Sequence, residues 1–421
     1  MTILQTILTL AGLPAHQTRF LHALLSVWLA IPGRLNATNF SRYSGWSEKT
    51  VRRWFHRPLP WLKLQLTLVQ VLVQCGALDP RWVLVIDASF IPKSGTQTEG
   101  RGSFWNGCQR RAETGLELSC IALMSWGSHH VFPISVKQTR PKTDKANRLT
   151  QYLTQLRGVF RAHRGWFRQH LRAVVADGQY AKKIFMEAVA DEGVAFVTKL
   201  ASNANLLMPF TGTHPKRRGA RQRWAGKVDF VDFAGWTPVP GEADERVWTR
   251  VVWGPHFERF FRVVVIQRLN KKGAVMAHVV LCSTDTTLPA EQIRALYSAR
   301  FQLEFVFRDA KRAGVVNGAV LPKKQYGGLT TGQLRSRQGL ENHWNASFFS
   351  LSLARAALVL EEAGRTGRPA SRLVCSIEDV KRQAFNVLFA GRILANLGLS
   401  QRFAELQNHP SRPLDLGVKA A

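Results

Sequence analysis

Two buried-strand patterns that end in an acid constrain the fold of this chain most. Trp82 to Phe90 is an apolar run rich in β-branched residues, and it contains Asp87 near its end. Ala173 to Ala176 is a shorter apolar run, which Asp177 follows directly. Short, continuously apolar runs of this kind are typical of strands in the centre of a sheet. The pattern therefore predicts a buried sheet that carries two carboxylates at the ends of its strands.

The order of the neighbouring segments indicates the fold class. After a Gly- and Arg-rich loop at residues 93–111, strands at 116–124 and 131–136 should form an antiparallel meander with the first strand. The pattern then predicts a helix at 149–160, the Asp177 strand, a helix at 182–189 and a strand at 194–198. Three strands, helix, strand, helix, strand is the order of an α/β, RNase H-like core, a mixed sheet flanked by helices.

Changes in composition divide the chain into five predicted parts. The short alternating segments 228–233, 247–253 and 260–266 indicate β structure, and the part that holds them also contains Trp224, Trp236, Trp248 and Trp253. Most of these tryptophans should be core residues, although one could stack on a nucleic-acid base. The parts are an N-terminal helical DNA-binding domain (1–78), the first part of the core (79–200), a β-rich insertion domain (201–276), the second part of the core (277–350) and a C-terminal helical region (351–421).

A possible helix-turn-helix lies within residues 37–55. The sequence predicts a short helix, a turn at Gly45 and a second helix capped by Ser47. Lys49, Arg52 and Arg53 should project from that second helix, as a DNA-recognition helix requires. A helical bundle with a basic face fits the same pattern equally well. The overall charge of the chain favours the DNA-binding interpretation.

That charge is strongly positive. The 421 residues include 58 Lys and Arg against 28 Asp and Glu, which gives a net charge of +30. The basic residues are spread over the whole length, so they favour an extended surface for a polyanion, nucleic acid first, with a membrane surface or a ribosome as the alternatives. No uncharged apolar run approaches the length of a membrane span, and the apolar N-terminus lacks the basic region of a signal peptide. Five widely spaced cysteines with no CxxC pair favour reduced thiols over disulfides or a zinc site.

The stretch from Leu296 to Lys311 has an unusual distribution of charge for one helix. At about 100° per residue, Tyr297, Arg300, Glu304 and Lys311 share a face, together with Arg308. The opposite face carries Leu303, Val306 and Ala310, which suits packing against a sheet. A solvated surface helix is the ordinary alternative.

Three acids on these elements fit a metal-dependent reaction. The first and fourth strands of an RNase H-like sheet are neighbours, so Asp87 and Asp177 should lie together, with Glu304 arriving on the helix. Their oxygens would suit two Mg²⁺ ions, which can activate an attacking oxygen and stabilise the leaving oxygen of a phosphodiester. The rival acids have ordinary explanations: Asp144 as a helix N-cap, and Glu113, Glu117 and Asp191 as solvated charges. A structural role is also expected for His129, His130 and His343.

Four of these residues match a family signature. Tyr297, Arg300, Glu304 and Lys311 have the spacing Tyr-x2-Arg-x3-Glu-x6-Lys. The chain therefore resembles the insertion-sequence DDE transposases over about residues 80–350, with Asp87 and Asp177 in the positions of the first two acids. The β-rich insertion before the glutamate is also similar to this group. The N-terminal region matches no signature of the family.

The resemblance implies cut-and-paste movement of a DNA element. A nick at each element end would free a 3′-hydroxyl, which attacks the opposite strand to form a hairpin; the reopened 3′ ends then join target DNA. It implies that Asp87, Asp177 and Glu304 are catalytic and bind two Mg²⁺, which Mn²⁺ can replace. It further implies that Tyr297, Arg300 and Lys311 hold phosphates near the cleaved end, and that a homodimer assembles on paired terminal inverted repeats. Arg308 shares their helix face, so we expect it to contact DNA as well. The expected location is the bacterial cytoplasm, at the nucleoid. A nuclease or resolvase that never joins DNA and a catalytically silent DNA-binding regulator remain alternatives.

Overall fold

The computed structural model describes residues 3–31, 34–107, 109–141, 147–213, 221–311, 313–314, 324–325, 329, 334–371, 377–409, 411 and 413–416. The helices are α1 (Ile3–Leu10), α2 (Ala15–Trp28), α3 (Ala37–Ser44), α4 (Glu48–Phe55), α5 (Trp61–Gln74), α6 (Arg148–Ala162), α7 (Arg164–His170), α8 (Lys183–Ala190), α9 (Ala290–Ala299), α10 (Phe301–Lys311), α11 (Arg337–Thr366), α12 (Ile377–Asn396) and α13 (Ser400–Asn408). The strands are β1 (Trp82–Pro92), β2 (Gly102–Asn106), β3 (Arg111–Ser125), β4 (Val131–Thr139), β5 (Leu171–Ala176), β6 (Ala195–Leu200), β7 (Leu207–Pro209), β8 (Trp224–Lys227), β9 (Thr237–Val239), β10 (Glu245–Gly254), β11 (Arg259–Leu269), β12 (Val275–Ser283), β13 (Ala313–Gly314) and β14 (Lys324–Gln325).

The chain forms two compact units, and its path crosses between them. The first unit comprises Met1–Pro80, Ala88–Gln151 and Leu303–Ala421, and the second comprises Arg81–Asp87 and Tyr152–Gln302. Strand β1 begins in the second unit and ends in the first. The five parts inferred from composition, and the boundaries between them, stay predictions.

Parallel pairing organises the second unit. The first half of β1 pairs in parallel with β5, with Ile86 opposite Ala176, and β5 pairs in parallel with β6. The side chains of this part of β1 are fully buried, as the apolar run requires. Antiparallel pairing then extends the sheet from β6 through β12, β11 and β10, which β7, β8 and β9 complete.

Antiparallel pairing dominates the strands of the first unit. Strand β3 pairs with β2 through residues 111–115 and with β4 through residues 117–124. The second half of β1 lies next to β3 in the sheet. The two strands approach closely, since a Cβ atom on Gly115 would fall 2.5 Å from the Phe90 ring. Along β1, the strand order β4-β3-β1-β5-β6 is that of an RNase H-like sheet. The α/β fold class predicted from the segment order is therefore confirmed.

The N-terminal helices form around an aromatic core in the first unit. The Phe20 and Trp54 rings stack with centroids 4.7 Å apart, and Trp28 packs against Phe40 at 4.9 Å. Gly45 ends α3 with φ of 75°, a left-handed conformation that costs glycine little. Ser47 caps α4 by accepting a hydrogen bond from the Thr50 amide. The predicted helix, turn and capped helix are all present.

Helix α11 is largely buried in the first unit, mainly along its N-terminal half. Asn342 accepts a hydrogen bond from Trp61 Nε1 at 2.9 Å and donates to the carbonyl oxygens of Phe55 and Arg57. These bonds attach α11 to the end of α4 and the start of α5. The buried His343 ring lies near Trp28 and Phe55, which agrees with the structural role expected for it.

The structure differs from the sequence-based prediction in several elements. The loop predicted at 93–111 contains β2, and β1 continues five residues beyond Asp87 instead of ending there. Residues 228–233 form no strand; β8 and β9 lie on either side of them, and α7 was not predicted. The helix predicted at 296–311 is two helices, α9 and α10, which meet at Arg300. Arg300 has helical φ and ψ angles and is neither Gly nor Pro, so the sequence contains no helix-breaking residue at the junction.

Some sequence features lie outside the described residues. They are Lys216 to Arg218, Cys108, Asp144, Cys375 and most of the basic loop at 314–337. Within the described part, no helix is long and apolar enough to cross a bilayer.

Candidate active site

The backbone of the second unit places two carboxylates at the same level. Ile86 and Ala176 are the last residues that pair between β1 and β5, and Asp87 and Asp177 follow them. Because neighbouring parallel strands lie about 4.8 Å apart, side chains that leave them at one level are close neighbours. The predicted juxtaposition of the two aspartates is therefore present.

A close approach of the backbone shapes the turn after Asp177. A Cβ atom on Gly178 would fall 3.0 Å from the Lys199 carbonyl oxygen on β6, so a larger residue would press on that strand. The Thr198 hydroxyl donates to the Asp177 carbonyl at 3.2 Å, and Tyr180 is completely buried after the turn. The sequence Asp-Gly-Gln-Tyr thus fixes the aspartate between a strand end and a buried ring.

Helix α9 carries the partners of both carboxylates. The Tyr297 hydroxyl donates to Asp177 Oδ1 at 3.1 Å, and Arg300 Nη1 donates to Asp87 Oδ2 at 3.0 Å. Tyr297 and Arg300 are three residues apart, which is about one helical turn, so one helix end holds both acids. The buried residues Ile293 and Leu296 pack α9 onto the sheet of the second unit.

The ion pair between Arg300 and Asp87 is largely shielded from water. The Arg300 side chain is 7% exposed and that of Asp87 is 15% exposed. The Arg300 guanidinium also lies over the Phe301 ring at 5.0 Å and over the Tyr297 ring at 5.6 Å. Burial raises the pKa of Tyr297, and the negative charge of Asp177 raises it further, so the hydroxyl keeps its proton and acts as a donor.

The remaining signature residues lie on α10, in the first unit. Lys311 Nζ donates to Ser89 Oγ at 2.6 Å and to the Phe90 carbonyl at 2.8 Å, at the end of β1. Glu304 is exposed in the first turn of α10, whereas Leu303, Val306 and Ala310 are buried as predicted. The Arg308 guanidinium lies 4.9 Å from the Phe305 ring and forms an ion pair with Asp309.

Sequence reasoning missed Ser89. It lies two residues after Asp87 on β1, and its hydroxyl accepts a hydrogen bond from the signature lysine. The alternation of side chains along a strand was the available signal, because residues two apart share a face.

Two of the rival acids have structural partners. Glu117 is buried and forms an ion pair with Arg148 at 2.7 Å, so the expectation of a solvated charge was wrong for this residue. The two Glu113 oxygens accept bonds from Asn106 and Arg111. Asp191 ends helix α8. His130 is buried, and its Nε2 lies 2.9 Å from the Ser371 carbonyl oxygen. Among the described residues, no group of three His, Cys, Asp or Glu side chains is close enough to hold a metal ion.

The donor chemistry of the aspartate pair suits a hard cation. Carboxylate oxygens are the ligands that Mg²⁺ prefers, and Asp87 and Asp177 present them from adjacent strands. One oxygen of each carboxylate is already bonded to Arg300 or Tyr297. The two acids therefore fit part of a Mg²⁺ site.

The basic surface predicted on α4 consists of exposed side chains. Lys49, Arg52 and Arg53 are all exposed, and Arg52 Nε donates to Glu48 at 2.9 Å one turn earlier. Glu48 also accepts a bond from Thr38 on α3. The three cations thus lie exposed on a short helix, and the acid of that helix, Glu48, is already bonded to Arg52 and Thr38.

Comparison with known proteins adds one finding. A family model described as Transposase DDE domain matches residues 79–316, which is more than half of the chain. A search of curated proteins finds no match.

Proposed function

Because this chain belongs to the Transposase DDE domain family, we propose that it is a cut-and-paste DNA transposase with Asp87, Asp177 and Glu304 as its catalytic acids. The observation that carries the proposal is the register of β1 and β5, which puts two aspartates level on adjacent strands. The family match and the net charge of +30 support a DNA substrate.

Asp87 and Asp177 would hold Mg²⁺, and Glu304 would supply a further carboxylate. The metal would supply Lewis-acid stabilisation of the attacking and leaving oxygens of the phosphodiester. Arg300 donates to Asp87 and Tyr297 donates to Asp177, and these bonds orient the two carboxylates. Lys311, which is bonded to the end of β1, and the exposed Arg308 bring positive charge for phosphates of the DNA end.

The reaction sequence that we propose has four phosphoryl transfers at each end. Water attacks a phosphodiester and releases a 3′-hydroxyl, and that hydroxyl attacks the opposite strand to form a hairpin. Water reopens the hairpin, and the restored 3′-hydroxyl attacks target DNA. In each transfer one P–O bond forms as another breaks. We propose that a homodimer on paired ends performs these steps, and that Lys49, Arg52 and Arg53 contact the terminal repeats.

A cleavage and joining assay tests the proposal. Purified full-length protein is mixed with labelled DNA from the flanks of its own gene and Mg²⁺, and with Mn²⁺ in parallel. Asp87→Asn, Asp177→Asn and Glu304→Gln should each lower cleavage by on the order of a thousandfold or more. Asp229→Asn is the matched control, because the bond that Asp229 makes among the described residues is a local one, accepted from the Val231 amide.

The products distinguish the three candidate functions. Defined end cleavage followed by joining to target DNA supports the transposase, and a hairpin on a denaturing gel supports the proposed intermediate. Cleavage without joining would indicate a nuclease. Binding without cleavage by the wild-type protein would favour the regulator, and full activity of the three acid variants would show that the wrong acids were chosen.

A further inference from the structure

The hairpin formed by β2 and β3 has an unusual exposed residue at its edge. Trp105 on β2 is 58% exposed, although an indole of this size is usually largely buried. Its neighbours on the same face are the small, exposed side chains of Ser103, Ala112 and Thr114. Among the described residues of the hairpin, the ring therefore stands above its neighbours and belongs to no apolar cluster on that face.

The opposite face of the hairpin holds it in place. Phe104 is 2% exposed, so its burial fixes which side of β2 faces outward. On this same face Glu113 accepts a bond from Asn106 at 2.6 Å and one from Arg111 at 2.8 Å. The bond from Asn106 joins β2 to β3, and the bond from Arg111 lies within β3, so the outward direction of Trp105 is set by buried and paired groups.

The base of the hairpin is also fixed. A Cβ atom on Gly115 would fall 2.6 Å from the Ile91 carbonyl oxygen, and one on Gly102 would overlap Pro141. Arg101 Nε donates to the Lys93 carbonyl at 3.0 Å. The two strands are thus packed closely at their base, and we refer to this hairpin, residues 101–115, as the arm.

The charge of the arm is positive. Residues 101–115 contain Arg101, Arg110 and Arg111, against Glu113 as their acid. Both carboxylate oxygens of Glu113 are occupied by bonds within the arm. Arg110 is exposed next to the tip, with a left-handed φ of 50°. Arg111 lies on the face opposite Trp105, so Arg110 is the exposed cation of the tip. An exposed aromatic ring on a positively charged element is the pattern with which proteins bind the bases and phosphates of nucleic acid.

The arm begins next to a signature residue. Gly115, at its base, approaches Phe90, whose carbonyl accepts the bond from Lys311. Trp105 pairs with Ala112, three residues along β3, which corresponds to about 10 Å at the rise of an antiparallel strand. DNA with a phosphate near Lys311 would extend to the indole ring within about three nucleotides.

We propose that the β2–β3 hairpin is a DNA-binding arm, in which the Trp105 ring stacks on an unpaired base beside the cleaved end and Arg110 contacts a phosphate. The proposal rests on the proposed function, because DNA end binding at Lys311 supplies its geometry. DNA is the ligand that we propose, because the arm is positively charged and because the chain matches the Transposase DDE domain family.

A binding experiment tests the arm. Full-length protein is titrated in Ca²⁺ against a labelled end duplex that carries a short single-stranded extension, and against the blunt duplex. Trp105→Ala should weaken binding of the extended duplex by about tenfold and binding of the blunt duplex much less, because stacking requires an unpaired base. Trp105→Phe should retain part of the affinity. Arg110→Ala should weaken binding to both duplexes and lower the salt slope by about one.

The control is Phe389→Ala, which removes an aromatic ring of similar exposure, 57%, from α12. Equal losses for Phe389→Ala and Trp105→Ala, or wild-type affinity of Trp105→Ala for the extended duplex, would overturn the proposal. If the arm proposal is wrong, cleavage and joining by the wild-type protein are still expected. If the proposed transposase function is wrong, cleavage is absent, but Trp105→Ala should still weaken DNA binding.

Discussion

The aspartate pair and the α4 surface use charge in opposite ways. Asp87 and its partner Arg300 are largely buried, and they lie 213 positions apart in the sequence. On α4 the cations Lys49, Arg52 and Arg53 are exposed, and the acid that pairs with Arg52 is one turn away. A buried charge needs a defined partner because desolvation is costly, whereas an exposed charge keeps its hydration. Single substitutions at the aspartate pair should therefore lower the stability of the protein. Substitutions on the α4 surface should change DNA binding alone.

The largest expected effect is that of Arg300→Ala on folding. Removing the guanidinium leaves the Asp87 carboxylate without its ion pair, so the free energy of unfolding should fall by about 3–5 kcal/mol. Urea denaturation followed by tryptophan fluorescence measures the change. Arg308→Ala is the matched control, since Arg308 is exposed and should cost no more than about 0.5 kcal/mol. Equal losses for the two variants would break the comparison.

Tyr297→Phe should have an intermediate effect. The substitution keeps the ring against Arg300 but removes the hydroxyl that donates to Asp177, so we expect a loss of about 1–2 kcal/mol. The double variant Tyr297→Phe, Asp177→Asn sharpens the prediction, because the two losses should then be less than additive. Additive losses in the same denaturation assay would mean that the bond contributes nothing to stability.

The smallest effect on stability is expected for Arg53→Ala. Arg53 is exposed on α4, so the free energy of unfolding should change by less than about 0.5 kcal/mol. If α4 contacts DNA, the slope of log affinity against log salt should fall by about one, because one phosphate contact is lost. Arg402→Ala, at an exposed position on α13, serves as the control for a general loss of charge. An unchanged salt slope for Arg53→Ala would favour the plain helical bundle.

Much of the candidate site could be predicted because its signals are local. Asp87 and Asp177 follow apolar runs, and the apolar positions Leu303, Val306 and Ala310 repeat at helical spacing. The contacts of Arg300 and Tyr297 could not be predicted, since the helix face that they share was interpreted as a phosphate-binding surface. Nothing in the local pattern distinguishes a cation that faces DNA from one that faces a carboxylate. The role of these residues toward phosphate stays a prediction.

The sequence by itself predicted the order of the main strands and helices of the core and the capped turn around Gly45, and it singled out Asp87, Asp177 and Glu304, whose catalytic role stays a prediction. Periodicity and capping operate over a few residues, so one chain segment contains the whole signal. Only the tertiary structure decided that Ile86 lies opposite Ala176, that α9 ends against two carboxylates, and that β2 turns Trp105 outward. These features depend on strand register and on contacts between distant segments, which are set by how the core packs as a whole.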